Sequence, residues 1–179
     1  MKRWVAALPL VVLAALAVLF AGYALHRDPH VQPQALVGKP MPDLTLPRLD
    51  DSTTLRLREA TSAGPVLVNF FASWCGPCAV EHPMLMEMRD AHVRIIGIAY
   101  EDVPPRGSQQ ATQAFLARLG DPFIERLADR DGRAGIEFGI TGVPETYLVA
   151  RDGTILAKHT GPLSAAEARA LTTRALTGR

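Results

Sequence analysis

The two cysteines of this chain, Cys75 and Cys78, lie in the segment Trp-Cys-Gly-Pro-Cys at residues 74–78, and the 179 residues contain no other cysteine. Two residues separate them, so their sulfur atoms can close a small disulfide ring and exchange it with a disulfide of another protein. This spacing predicts thiol–disulfide exchange, in which Cys75 attacks and Cys78 resolves the mixed disulfide. The elements that position the pair therefore decide its reactivity.

The sequence around the cysteines predicts a strand followed by a helix. Residues 66–71, Val-Leu-Val-Asn-Phe-Phe, form an apolar run typical of a buried strand, and residues 79–89 are rich in helix-forming side chains. We expect Cys75 at the N-terminus of a helix that begins about Gly76. Free N–H groups and peptide dipoles at a helix start favour an anion, which lowers a thiol pKa from about 8.5 into the range of roughly 3.5 to 7.5. Cys75 is thus predicted to be a nucleophile near neutral pH.

Other uses of the cysteines stay open on this pattern. A structural disulfide across so short a loop removes little entropy from the unfolded chain, and a tetrahedral zinc site needs four ligands, for which a second cysteine pair is missing. A Cu(I) site is a further alternative, because His82 follows Cys78 by one helical turn and Met84, Met86 and Met88 come next. These methionines do not share one helix face, which favours ordinary core packing. We therefore expect no metal and no cofactor.

The first 25 residues decide the predicted compartment. Residues 4–25 carry no charged side chain over 22 positions, and at about 1.5 Å per residue this run is long enough to cross a hydrocarbon core of about 30 Å. A cleaved signal peptide with a site near residues 22–24 is the alternative, but its apolar region is typically only about 7 to 15 residues long. Lys2 and Arg3 precede the run, which predicts a cytoplasmic N-terminus. The sequence thus predicts a single-pass membrane anchor with the rest of the chain in the periplasm or at the cell exterior.

Composition and length predict one domain behind this anchor. The expected organisation is a membrane anchor at residues 1–25, a linker at 26–36 that contains Pro29 and Pro33, and a single domain at 37–179. The chain has 19 Lys plus Arg against 18 Asp plus Glu and lacks a basic block. This balance argues against a nucleic-acid partner.

Strand and helix patterns predict an α/β fold, a mixed sheet with helices on both faces. The strand at 66–71, the helix after it and an apolar run at 93–99 form a β-α-β unit with parallel strands. The other predicted elements are an extended edge segment at 38–47, a helix at about 108–119, an antiparallel strand pair at 146–150 and 154–158 around the turn 151–153, and a last helix from the capping box Ser164–Glu167 to about Leu176.

The cysteine segment at a helix start, together with Val143-Pro144 before a late strand, resembles the thioredoxin fold. The resemblance implies that the Val143–Pro144 bond is cis and faces the cysteines, and X-Pro bonds are those for which cis costs little. The backbone of Val143 would then pair with an extended substrate segment as an added strand. Pro83 matches the family's helix-kinking proline. Trp74 is expected to shield the disulfide and to offer an apolar contact.

Three segments narrow the resemblance to one branch of this fold. They are Gly-Lys-Pro-Met-Pro-Asp at 38–43, Ala-Ser-Trp-Cys-Gly-Pro-Cys-Ala-Val-Glu-His-Pro at 72–83, and Phe-Gly-Ile-Thr-Gly-Val-Pro-Glu-Thr-Tyr at 138–147. They look like the CcmG/DsbE family, the membrane-tethered thioredoxins of cytochrome c maturation. The resemblance implies a single-pass anchor in the inner membrane and a domain in the periplasm. This domain would reduce apocytochrome c or a thiol protein of the maturation pathway and be recharged by a membrane thiol–disulfide carrier. A related anchored thioredoxin with another envelope client and a Cu(I)-binding module stay as alternatives.

Three residues are expected from this resemblance to tune the cysteines. Asn69 stands where cytoplasmic thioredoxins carry a buried Asp that helps to deprotonate the resolving cysteine, and an amide cannot take that proton. Glu81, one helical turn after Cys78, and Glu145, directly after Pro144, are the candidate carboxylates. Negative charge near the pair would raise the thiol pKa values and offset part of the helix-dipole effect.

Overall fold

Residues 36–178 alternate between strands and helices in the structure, a computed structural model that describes residues 9, 11–19, 22, 36–51 and 53–178. In chain order the elements of this part are β1 (Thr45–Pro47), β2 (Thr54–Arg56), α1 (Leu57–Ala60), β3 (Val66–Phe71), α2 (Gly76–Asp90), β4 (Ile95–Tyr100), α3 (Gln109–Leu119), β5 (Glu125–Asp129), α4 (Arg133–Phe138), β6 (Glu145–Val149), β7 (Ile155–Thr160) and α5 (Ala165–Thr177).

Five of these strands form a mixed sheet in the order β5-β4-β3-β6-β7. Strand β4 pairs in parallel with β3 and β5, whereas β6 pairs in antiparallel with β3 and β7. The predicted β-α-β unit is therefore present as β3-α2-β4. The predicted hairpin joins β6 to β7 through Arg151–Gly153, where Gly153 takes a φ of +89°. The mixed sheet expected from the sequence is confirmed.

Helices cover both faces of this sheet because alternate residues of β3 point to opposite sides. Leu67 and Phe71 join a core with α2, α3 and α5 that also contains both cysteines. Val66, Val68 and Phe70 join a second core with α1 and α4. All six residues of β3 are buried. The strand that leads to the cysteines is therefore held from both sides.

The helix starts follow from local sequence. The Ser108 hydroxyl accepts the backbone N–H of Ala111 at the start of α3, and the predicted capping box between Ser164 and Glu167 opens α5. Pro83 lies inside α2 as expected, where it removes one helical hydrogen bond.

Some elements differ from the sequence prediction. The pattern misses β5 and α4, because β5 reads Glu-Arg-Leu-Ala-Asp, an edge strand with three charged residues, and α4 has only six residues. Of the predicted edge segment at 38–47, only Thr45–Pro47 forms a strand. It pairs with β2 in a separate two-stranded sheet instead of extending the main one.

The predicted membrane span at 4–25 and the linker at 26–36 fall largely outside the described residues. Residues 9, 11–19 and 22 are helical. Within the described part of the chain, no helix has the length and apolar character that crossing a membrane requires. The chain divides into two units, 1–35 and 36–179. The second unit thus begins at the last residue of the predicted linker, and the anchor stays a prediction.

Candidate active site

Cys75 and Cys78 form a disulfide at the start of α2, with 5.3 Å between their Cα atoms. Cys75 is the N-cap residue, and its Sγ accepts the backbone N–H of Cys78 at 3.1 Å. In the reduced pair this N–H and the aligned peptides of α2 favour a thiolate on Cys75. Cys75 is 5% exposed and Cys78 is 1% exposed. The difference agrees with attack by Cys75 and resolution by Cys78.

The loop before β6 lies against the attacking sulfur. The Val143–Pro144 peptide bond is cis, as the resemblance implied. The Sγ atom of Cys75 lies 3.5 Å from the carbonyl oxygen of Val143. A client segment that pairs with the backbone of Val143 would therefore bring its own disulfide to Cys75.

Trp74 provides a partly exposed apolar surface directly before Cys75. The residue is 39% exposed, and the guanidinium of Arg106 lies 5.8 Å from the centroid of its ring. In this cation–π contact the guanidinium covers one face of the ring. The exposed ring fits the predicted contact with a client, and shielding of the disulfide by Trp74 stays a prediction.

Glu81 and Asn69 form a buried polar pair on the face of the sheet that carries the cysteines. The amide nitrogen of Asn69 donates to Glu81 Oε1 and to Thr146 Oγ1, each at 2.9 Å, and the backbone N–H of Leu163 donates to Glu81 Oε2 at 3.0 Å. Burial raises the pKa of Glu81 to about 7, although these donors oppose the shift. A carboxyl group that can take or give a proton near neutral pH thus lies one helical turn after Cys78.

Known proteins are similar to this chain in sequence and in fold. The Redoxin family profile matches residues 36–173. The chain belongs to the redoxin family. The thiol:disulfide interchange protein DsbE of Allochromatium vinosum is 40% identical over 161 residues, which are 89% of this chain and 86% of that protein. HelX of Rhodobacter capsulatus, also a thiol:disulfide interchange protein, is 37% identical over 159 residues, 88% of this chain and 86% of that protein. Within the redoxins, this chain is therefore of the DsbE type.

A solved structure agrees with the DsbE assignment. The crystal structure of a putative thiol:disulfide interchange protein DsbE from Chlorobium tepidum matches with a TM-score of 0.66 and 25% identity, over 79% of this chain and 96% of that chain. The fold is thioredoxin-like. As a DsbE-type redoxin with a Cys75–Cys78 pair, the protein is a dithiol–disulfide oxidoreductase.

The geometry of this redoxin site gives each sulfur one step of the exchange. In the reduced pair, the thiolate of Cys75 attacks a client disulfide, forms a new S–S bond and releases one client sulfur as a thiolate. The thiolate of Cys78 then attacks the Cys75 sulfur of this mixed disulfide and releases the second client sulfur. Two electrons pass to the client, whose thiolates take up protons. The redoxin is left with the Cys75–Cys78 disulfide seen in the structure.

His82 belongs to the core packing of this redoxin. Its Nε2 atom lies 2.8 Å from the carbonyl oxygen of Gly120, and its ring packs edge-on against Phe115. Burial lowers the pKa of His82 because the charged ring is disfavoured there. Met88 is buried in the same core. In the part of the chain that the structure describes, no three His, Cys, Asp or Glu side chains are grouped to hold a metal ion.

The Glu145 carboxylate lies on the face of the sheet opposite to the cysteines. Glu145 and Tyr147 alternate with Thr146 along β6, and Thr146 is the residue that contacts Asn69. Direct contact with the sulfurs is therefore not the role that the structure gives Glu145. Tuning of the thiol pKa values by its charge stays a prediction.

Glu145 instead orders the loop that precedes Pro144. Its Oε1 accepts the backbone N–H and the hydroxyl of Thr141, each at 2.9 Å, and its Oε2 lies 2.8 Å from Nζ of Lys158. Lys158 also donates to the carbonyl oxygen of Gly139 at 3.0 Å. This buried ion pair ties two points of the loop to β6 and β7. The sequence does not indicate this role of Lys158, because a lysine in an edge strand usually faces solvent.

Replacing Lys158 by methionine is expected to lower the free energy of unfolding by about 3 kcal/mol, since it leaves the buried Glu145 charge without its partner. Urea unfolding at pH 7 measures the change, and Lys39→Met, at an exposed lysine, is the matched control. The double variant Lys158→Met/Glu145→Gln should recover much of the loss. A loss below about 1 kcal/mol in the single variant would contradict this account.

Proposed function

We propose that this protein is a membrane-anchored periplasmic reductant of cytochrome c biogenesis. It reduces the disulfide of apocytochrome c or of a thiol protein of the maturation pathway, and a membrane thiol–disulfide carrier returns it to the dithiol form. A single-pass helix at residues 4–25 holds it in the inner membrane. Two observations support the pathway: the segments that resemble the CcmG/DsbE family, and the similarity of the chain to relatives that are named DsbE.

The anchor is supported by the character of the N-terminal residues. Residues 4–25 are uncharged, and residues 9, 11–19 and 22 within this run are helical. Large apolar side chains of this segment are exposed, among them Val11, Leu13, Val18 and Leu19. A lipid phase would cover such side chains.

The observation that carries the reductant assignment is the buried carboxyl group of Glu81, which lies in α2 one helical turn after Cys78. A strong thiol oxidant owes its potential to a stabilised reduced form, in which the attacking thiolate is favoured. A carboxylate near the pair opposes that thiolate and so favours the disulfide form. The dithiol then gives its electrons away readily, which is the property a reductant needs.

The reduction potential tests this assignment. Equilibration of the full chain with glutathione buffers at pH 7 is expected to give a value nearer to about −270 mV than to about −120 mV, the values of thioredoxin and of a strong periplasmic oxidant. A potential near the upper value would contradict a reductant.

The pathway is tested in cells that depend on this protein. A Cys75→Ser variant is expected to leave c-type cytochromes strongly depleted although the protein accumulates in the membrane fraction. Normal cytochrome levels would contradict a role in their maturation, and recovery of the protein in the soluble fraction would contradict the anchor. Identification of the client held in mixed disulfides by Cys78→Ser separates an apocytochrome or maturation partner from another envelope protein.

A further inference from the structure

A buried carboxylate outside the exchange chemistry contacts the loop that carries the cysteines. Asp102, in the loop after β4, is 7% exposed. Its Oδ2 accepts the backbone N–H of Ser73 at 2.8 Å, and its Oδ1 accepts the Ser73 hydroxyl at 2.6 Å. The hydroxyl of Thr112 in α3 donates to Oδ2 at 2.6 Å. Asp102 thus ties the residue two places before Cys75 to a helix on the same face of the sheet.

The chain around Asp102 is shaped to hold this carboxylate. Glu101 takes a φ of +44°, which is uncommon for a residue other than glycine and is typical of functional sites. A Cβ atom at position 107 would lie 1.7 Å from Asp102 Oδ1, so only a glycine lets the loop close over the carboxylate. The other charged groups of this loop, Glu101 and Arg106, pair with each other at 3.1 Å.

At the other end of this contact, Ser73 sits in the turn that presents Cys75. The backbone N–H of Cys75 donates to the carbonyl oxygen of Ala72 at 3.2 Å, which closes the turn around Ser73. Cys75 is also the N-cap of α2. A shift of Ser73 would therefore move the Cys75 sulfur relative to the N–H of Cys78 that stabilises its thiolate.

We propose that Asp102 is a positioning residue for the reactive thiol. It holds Ser73, and through Ser73 it keeps the Cys75 sulfur in line with the free N–H groups at the start of α2. Asp102 acts through its hydrogen bonds. Its charge alone would have the opposite effect, because a nearby negative charge raises a thiol pKa. The sign of the change in the pKa of Cys75 therefore separates positioning from a charge effect.

The experiment measures the alkylation of Cys75 in the full-length protein. Each variant is made in a Cys78→Ala background so that iodoacetamide reacts at one thiol, and the rate is followed from pH 4 to pH 10. At pH 7 we expect the rate to fall about 10-fold in Asp102→Asn and about 3-fold in Ser73→Ala, with a raised pKa of Cys75 in both, because one or two strong hydrogen bonds are lost.

Asp129→Asn is the matched control. Asp129 is also a buried carboxylate that accepts two backbone N–H groups, those of Ala134 and Gly135 at 3.0 Å and 2.8 Å, but it caps α4 on the opposite face of the sheet. It should lose stability and keep the alkylation profile of the parent. The proposal is overturned if Asp102→Asn reacts at the parent rate or faster, or if Asp129→Asn slows equally. Should Asp102→Asn not fold, an unchanged rate in Ser73→Ala overturns it.

Discussion

Cys78→Ser is expected to stop the exchange reaction at the mixed disulfide and to lower turnover at least about 1000-fold. Cys75 keeps its place as N-cap of α2 and can still attack a client. Resolution then depends on an external thiol at millimolar concentration, whereas an intramolecular thiol held in position reaches effective molarities of about 10⁵ M or more. Insulin or client reduction measures turnover, and non-reducing electrophoresis measures the mixed disulfide.

Cys75→Ser is the matched control, since it also leaves one sulfur in the site. It is expected to lose turnover equally but to accumulate no mixed disulfide, because Cys78 is the more buried sulfur and is not the one beside the Val143 carbonyl. Mixed disulfides in Cys75→Ser and not in Cys78→Ser would show that the roles of the two sulfurs are exchanged.

The parts of the fold that local pattern encodes could be predicted from the sequence. The apolar run of β3, the cysteines at a helix start and the capping box at Ser164 each depend on residues close together in the chain. The cis bond at Pro144 could be predicted from the resemblance to thioredoxins but not from the local sequence pattern. Strand β5 could not be predicted, because its three charged residues hide the alternation of apolar and polar residues that indicates a strand.

The contacts of the site that join distant residues could not be predicted in this way. Asn69 forms a hydrogen bond with Thr146, 77 positions away in the chain, and Asp102 forms one with Ser73, 29 positions away. Glu145 shows the reason most clearly. Its place next to Pro144 suggested a role at the sulfurs, but strand pairing turns its carboxylate to the opposite face of the sheet. One position along a strand decides which side of the sheet a charge occupies, and proximity in sequence does not reveal it.

Glu81→Gln is expected to slow the resolution step about 100-fold at pH 7. Glu81 lies one helical turn after Cys78 and its pKa is raised to about 7. We expect it to take the proton of Cys78 in the mixed disulfide, before that sulfur attacks, and Gln cannot take it. The defect should shrink above about pH 8.5, where the thiol ionises without a base. Stopped-flow decay of a preformed mixed disulfide measures the step. Glu87→Gln, at an exposed carboxylate of the same helix, is the control. Equal rates of decay in the two variants would show that Glu81 does not take the proton of Cys78.

The same substitution should change how the stability of the oxidised protein depends on pH. Burial raises the pKa of Glu81 from 4.5 to about 7, so between these values the native state binds the proton more tightly than the unfolded chain. The contribution of this group to stability is then fully present below about pH 4.5 and is lost as pH rises to about 7, a change of up to about 3 kcal/mol. Gln carries no charge, so the Glu81→Gln variant lacks this loss. The difference in free energy of unfolding between the variant and the parent, measured by urea unfolding, should therefore shift in favour of the variant as pH rises from 5 to 8. A constant difference across that range would show that Glu81 is ionised throughout, and the carboxyl could then no longer serve as an acid and base near neutral pH.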